Sequence, residues 1–119
     1  MKILVVDDST INNILLQNYL EENDFDVITT LNGPDALEII KKEQVDLVLL
    51  DVMMPEFSGF DFLNHLKLNK LNIPVIIITA NVDIDYKDKA FELGAKDYIN
   101  KPIQFKELRD KINRVLQIA

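Results

Sequence analysis

Three carboxylates follow two apolar runs of the sequence, at the point where each run stops. Asp7 and Asp8 come directly after residues 3–6, and Asp51 comes directly after residues 47–50. Runs of about four to eight β-branched and leucine residues are typical of strands that are buried on both faces of a parallel sheet. Because ligands of such sheets bind outside the carboxyl ends of the strands, we expect the three carboxylates to converge in one crevice.

The chemistry that such a cluster favours is the binding of a divalent cation. Two carboxylates about 5 Å apart repel each other by roughly 3 kcal/mol at an effective dielectric constant of about 20. A cation removes that repulsion, and hard oxygen ligands with room for water suit Mg²⁺.

Two further polar groups follow later apolar runs. Thr79 follows residues 75–78, and Lys101 follows Tyr98-Ile99 and precedes Pro102. A hydroxyl and an ammonium are therefore expected at the same edge of the sheet as the carboxylates.

The elements that must position these residues alternate between strand-like runs and helical patterns. The predicted strands cover residues 3–6, 25–29, 47–50, 75–78 and 98–99. The first predicted helix follows an N-cap at Ser9 or Thr10, and the second has Pro34 in its first turn. The apolar stripe of the first helix is predicted at Ile11, Ile14, Leu15, Tyr19 and Leu20. A loop at residues 53–55 precedes the third helix, and the fifth runs over residues 105–119.

This alternation predicts an α/β fold in which a (βα) unit occurs five times. Right-handed crossovers place helices on both faces of a doubly wound, five-stranded parallel sheet. The expected strand order is 2-1-3-4-5, the flavodoxin-like arrangement, with its switch point between strands 1 and 3. We expect residues 1–119 to form one domain.

Composition excludes several other classes of protein. A net charge of −7 with scattered basic residues argues against direct nucleic acid binding. No apolar run approaches the roughly 18 residues that a membrane span needs. The absence of cysteine excludes disulfides and thiolate metal sites. We expect a cytoplasmic protein with no signal peptide ahead of the first strand and no output domain after the last helix.

The motifs at the strand ends resemble those of the receiver domain of two-component response regulators, over essentially the whole chain. They are Val6-Asp7-Asp8, residues 50–55, Gly59, Thr79-Ala80 and residues 97–102. The resemblance implies that Asp51 accepts a phosphoryl group from a histidine kinase or a histidine phosphotransfer protein. It also implies that Thr79 donates a hydrogen bond to the phosphoryl group and that Lys101 neutralises its charge.

The same resemblance implies a Mg²⁺ site and a signalling surface. Asp8 and Asp51 would ligate the ion directly, Asp7 largely through water, and Met53 through its backbone carbonyl. Phosphorylation would change the surface of helix 4, strand 5 and helix 5, where Tyr98 occupies the aromatic switch position. This surface would control an output partner, and a homodimer through it is a further expectation.

Such a domain catalyses its own phosphorylation and dephosphorylation but is not an enzyme acting on external substrates. The resemblance also predicts a cis peptide bond between Lys101 and Pro102. The single histidine, His65, is interpreted as a surface residue and not as a phosphoryl donor.

Two alternative functions use the same residues. The first is a Mg²⁺-dependent phosphohydrolase of small substrates with an aspartyl-phosphate intermediate, which steady turnover of a generic phosphate ester would favour. The second is an interaction module that is never phosphorylated, which would typically have lost an active-site residue. The sequence retains Asp7, Asp8, Asp51, Thr79 and Lys101.

Overall fold

The computed structural model describes residues 1–54, 56–80 and 84–118, and in these residues five strands alternate with five helices. The strands β1 to β5 span Lys2–Val6, Asp26–Thr30, Leu47–Leu50, Val75–Thr79 and Asp97–Asn100. The helices α1 to α5 span Thr10–Glu22, Gly33–Lys42, Gly59–Leu68, Ile84–Glu92 and Phe105–Leu116. Pro55 and Ala119, predicted in a loop and in the last helix, lie outside the described residues.

The sheet is parallel throughout, and its strand order is β2-β1-β3-β4-β5. This confirms the predicted flavodoxin-like arrangement. The register pairs Val6 with Leu50, the last residues of β1 and β3. Asp51 continues this register, since its N–H donates to the carbonyl of Val6 at 2.9 Å. The carboxylates that follow β1 and β3 therefore lie at the same edge of the sheet.

Helices cover both faces of the sheet, and this explains the unbroken apolar runs. Leu4 and Val6 of β1 pack in a core with α2, α3 and α4, whereas Ile3 and Val5 pack in a second core with α1 and α5. Because consecutive side chains of a strand point to opposite faces, a strand with two covered faces needs apolar residues at every position.

Local capping fixes where the helices that flank the crevice begin. Ser9 is the N-cap of α1, and its side chain accepts a hydrogen bond from the N–H of Asn12. Ser58 and Asp61 form a reciprocal capping box at the start of α3. These caps set the direction in which each helix leaves its loop, and so they set the shape of the crevice.

The predicted apolar stripe of α1 is largely wrong. Ile11, Ile14 and Leu15 are exposed, while Leu16 and Leu20 are buried against the sheet. The buried face also contains a polar residue, Asn13. A helix docks on the face that fits its neighbours, and here that face includes an amide that meets backbone carbonyls.

No described helix combines the length and the apolar character that crossing a bilayer requires.

Candidate functional site

The carboxylates of Asp7, Asp8 and Asp51 converge beyond the ends of β1 and β3. Each offers an oxygen atom, and these atoms lie within 4.8 Å of one another. Asp7 and Asp51 are buried, whereas Asp8 is exposed at the mouth of the crevice. Two negative groups that are nearly withdrawn from water need a cationic partner nearby.

Lys101 is that partner within the described residues. Its Nζ lies 3.1 Å from Asp7 Oδ2 and 3.1 Å from Asp51 Oδ2. The lysine follows β5, and its backbone N–H donates to the carbonyl of Thr79 at 2.8 Å. The peptide bond between Lys101 and Pro102 is cis, which confirms that prediction.

Backbone and amide donors orient the two buried carboxylates. Asp7 Oδ1 accepts from the N–H of Ser9 at 2.9 Å, and Asp7 Oδ2 lies 3.5 Å from Asn12 Nδ2. Asp51 Oδ1 accepts from the N–H of Met53 at 2.8 Å. Asp51 therefore has a backbone donor on one oxygen and an ammonium on the other.

The crowding of charge alters proton affinities in the crevice. Burial and the neighbouring charges of Asp7 and Asp51 raise the pKa of Asp8. Burial by itself would lower the pKa of Lys101, but its hydrogen bonds to Asp7 and Asp51 outweigh that effect, so the pKa of the ammonium is raised. Lys101 is therefore charged at neutral pH, and the charges of the four groups sum to about −2 when all are ionised.

The donor set of this crevice fits a hard divalent cation. All three acidic side chains offer oxygen, and their mutual repulsion favours an added positive charge. Burial is the largest cause of the raised pKa of Asp8, and the charges of Asp7 and Asp51 add to it. Asp8 and Asp51 could hold the ion directly and Asp7 through water, and the backbone carbonyl of Met53 is the remaining ligand that the sequence predicts.

Thr79 and Tyr98 lie in β4 and β5, the last two strands towards one edge of the sheet. Thr79 ends β4, is fully buried and pairs with Asn100 of β5. The Tyr98 ring is buried, with the Nζ of Lys87 6.0 Å from its centroid. Lys111 of α5 donates to the Tyr98 carbonyl at 2.7 Å. The strand that directly precedes Lys101, β5, thus lies beside both α4 and α5.

Sequence reasoning missed Asn13. The residue is buried, and its Nδ2 donates to the carbonyl of Asp7, which itself belongs to the carboxylate cluster. The available signal was the Asn12-Asn13 pair, which stands between Ile11 and Ile14 in a helix that follows the acidic pair. His65, by contrast, is exposed as predicted and stands beside the Phe57 ring.

The sequence matches the response regulator receiver domain family over residues 3–113. The chain belongs to this family. The receiver domain is 39% identical over 116 residues to the alkaline phosphatase synthesis transcriptional regulatory protein PhoP of Bacillus subtilis, and the match covers 98% of this chain and 48% of PhoP. It is 37% identical over 114 residues to the response regulator SaeR of Staphylococcus aureus, across 96% of this chain and 50% of SaeR.

The receiver domain therefore spans about half the length of these relatives. Its fold is also that of solved receiver domains. The signal receiver domain of a putative Luxo repressor protein from Vibrio parahaemolyticus superposes with a TM-score of 0.92 at 31% identity, covering 98% of this chain and 89% of that one. The chain is a receiver domain of the two-component signalling class.

Proposed function

We propose that this receiver domain accepts a phosphoryl group on Asp51 in a Mg²⁺-dependent reaction, and that the donor is a histidine kinase or a histidine phosphotransfer protein. The observation that carries the proposal is the environment of the Asp51 carboxylate. It is buried, it contacts Lys101 Nζ at 3.1 Å, and it lies within the cluster that fits a divalent cation. Family membership supports a phosphoacceptor over a phosphohydrolase of small substrates.

In the proposed step, an Asp51 carboxylate oxygen attacks the phosphorus atom of a phosphohistidine. An O–P bond forms, the P–N bond breaks, and its electron pair moves to the imidazole nitrogen, which takes up a proton. The product is an acyl phosphate, a known type of covalent intermediate.

The charged and polar neighbours of Asp51 stabilise the phosphoryl group during this transfer. Lys101 Nζ already contacts Asp51 and would donate to a phosphoryl oxygen attached there. Thr79 would donate its hydroxyl to another oxygen. Mg²⁺, held by Asp8, Asp51 and the Met53 carbonyl with Asp7 acting through water, would neutralise the charge on the phosphoryl oxygens.

The proposed output surface consists of α4, β5 and α5. A phosphoryl group adds about −1.5 to −2 charges, and drawing Thr79 and Lys101 towards it would pull on the carboxyl ends of both β4 and β5. Tyr98 would transmit this change to the surface, which would bind an output partner and support a homodimer. We further propose that residues 1–119 form one receiver domain, that it lies in the cytoplasm, and that it does not itself bind nucleic acid.

The test is phosphorylation by a small donor. Incubation with acetyl phosphate or phosphoramidate and Mg²⁺ should add one phosphoryl group that is labile to base and hydroxylamine, as intact mass measures. Asp51→Asn should add none, whereas Asp110→Asn, which changes an exposed aspartate of α5, should behave like the parent. Equal phosphorylation of the Asp51→Asn variant would contradict the mechanism, and steady turnover of a generic phosphate ester would favour the phosphohydrolase.

A further inference from the structure

The amide of Asn13 lies on the buried face of α1, directly behind the loop that carries the acidic pair. The residue is 4% exposed. Its Nδ2 donates to the carbonyl of Asp7 at 3.0 Å and lies 3.3 Å from the carbonyl of Thr30. The Asn13 side chain therefore joins the residue that follows β1 to the last residue of β2.

These two carbonyls lie at the limit of the sheet ladder. The pairing of β1 with β2 ends at Val6 and Thr30. Beyond it, the N–H of Asp7 still donates to the Thr30 carbonyl at 3.2 Å, but the Asp7 carbonyl belongs to a peptide that has left the strand. Asn13 provides a donor for that carbonyl. The peptide units on both sides of Asp7 are thus held, one by Thr30 and the other by Asn13.

The second polar atom of the amide points to a role beyond packing. Asn13 Oδ1 is buried and has no hydrogen-bond partner among the described residues. Turning the amide around would set Oδ1 against two carbonyl oxygens, so the observed orientation is the favourable one. A buried unpaired acceptor is unfavourable, and leucine would fill a similar volume without it.

We propose that Asn13 is a positioning residue for the cation site, a role that rests on the proposed function of Asp8 and Asp51. The hydrogen bond to the Asp7 carbonyl fixes the plane of the peptide that joins Asp7 to Asp8. Because the Asp8 side chain is exposed and not packed in the core, this plane determines whether its carboxylate points at Asp51. Asn13 touches neither the ion nor the phosphoryl group, and it acts through the backbone.

The experiment compares Mg²⁺ affinity in Asn13→Leu and Asn23→Leu. Asn23 caps the far end of the same helix, and its Nδ2 donates to the Tyr19 carbonyl at 2.8 Å. The control therefore loses the same kind of bond away from the crevice. Affinity is measured by following the backbone amide signals of Asp8 and Met53 during a Mg²⁺ titration. Folded and unfolded molecules give separate signals, so the folded state is observed even in a destabilised variant.

Asn13→Leu should weaken Mg²⁺ binding by about tenfold or more, the range typical of lost partners behind metal ligands. Asn23→Leu should keep the parent affinity even if it unfolds more easily, and Asn13→Ala should repeat the loss if leucine prevents folding. Parent-like affinity in folded Asn13→Leu or Asn13→Ala would overturn the inference and leave the proposed function standing. Absence of Mg²⁺ binding by the parent would overturn both.

Discussion

Asp8 stands at the mouth of a crevice in which two other carboxylates are already buried. Burial and the charges of Asp7 and Asp51 raise its pKa, so the folded protein holds the proton more tightly than the unfolded chain. Stability then falls as pH rises from the ordinary aspartate pKa of about 3.9 through the raised value, since the unfolded state releases its proton first. The raised pKa of Asp8 therefore lowers the stability of the metal-free protein at pH values above that pKa.

Asp8→Asn should therefore have opposite effects with and without the ion. In the metal-free protein it removes a repelling charge and should raise the melting temperature at neutral pH, with a smaller gain near pH 4. With saturating Mg²⁺, the variant should gain much less stability than the parent because it lacks a proposed direct ligand. Thermal unfolding followed by circular dichroism measures both effects. A full Mg²⁺-dependent stabilisation of the variant would show that the ion binds elsewhere.

Lys101→Met should destabilise the metal-free protein by about 2–3 kcal/mol, because Asp7 and Asp51 would remain buried without their ammonium. The raised pKa of Lys101 means that its stabilising contribution is complete at neutral pH and is lost only as pH rises above about 10.4. Urea unfolding of parent and variant at neutral pH measures the difference.

The control for this change is Lys2→Met. Lys2 pairs with Glu43 at 2.9 Å on the surface, where solvent screens the charges, so its loss should change stability little. Similar losses for the two lysines would mean that burial of the carboxylates does not matter.

At the scale of elements, α3 depends on a close approach to the loop after β3. A Cβ built on Gly59 would lie 2.6 Å from the Val52 Cα and 3.0 Å from the Asp51 carbonyl oxygen. Both are backbone atoms, which cannot move aside as a flexible side chain can. Gly59→Ala should therefore destabilise the fold by about 1–3 kcal/mol in urea unfolding. An unchanged unfolding free energy would mean that the helix shifts freely relative to β3.

Thr79 ends β4 and pairs with Asn100 of β5. Thr79→Ala should still take up a phosphoryl group at Asp51, because neither the proposed nucleophile nor the proposed metal ligands change. To move the conformational equilibrium from mostly inactive to mostly active, phosphorylation must favour the active state by several kcal/mol. The hydrogen bond from Thr79 would supply part of this free energy. Adding beryllofluoride and Mg²⁺ should therefore cause smaller chemical-shift changes at Tyr98 and Lys87 than in the parent.

The matched control is Thr29→Ala, which changes a threonine in the edge strand β2, across the sheet from β5. This variant should respond to beryllofluoride as the parent does. If Thr79→Ala also gives parent-sized shifts on α4 and β5, the Thr79–Tyr98 connection does not transmit the signal.

At the scale of the whole molecule, the strand order separates the site from the proposed output surface. The acidic cluster lies where the order reverses, between β1 and β3. β5 is an edge strand, and its consecutive residues Tyr98 and Ile99 pack in the two different cores. A displacement of β5 therefore reaches helices on both faces of the sheet. This arrangement suits a domain that must convert a local charge change into a change of surface.

The sequence by itself determined the sheet and the convergence of the acidic residues. Unbroken apolar runs identified β1, β3 and β4, because strands covered on both faces need them, and crossover rules then gave the order of all five strands. Once Asp7, Asp8 and Asp51 stand at the ends of neighbouring parallel strands, their proximity follows from topology and needs no knowledge of side-chain packing. The roles assigned to them stay predictions.

Only the tertiary structure decided which face of α1 is buried and what Asn13 contacts. The apolar spacing favoured Ile11, Ile14 and Leu15, but the helix docks with Asn13 and Leu16 towards the sheet. Helical periodicity defines a stripe, whereas the docked face depends on the fit to strands and loops that are distant in sequence. The contact between Lys101 and Asp7 was likewise decided by the tertiary structure, because the two residues lie 94 positions apart in the chain.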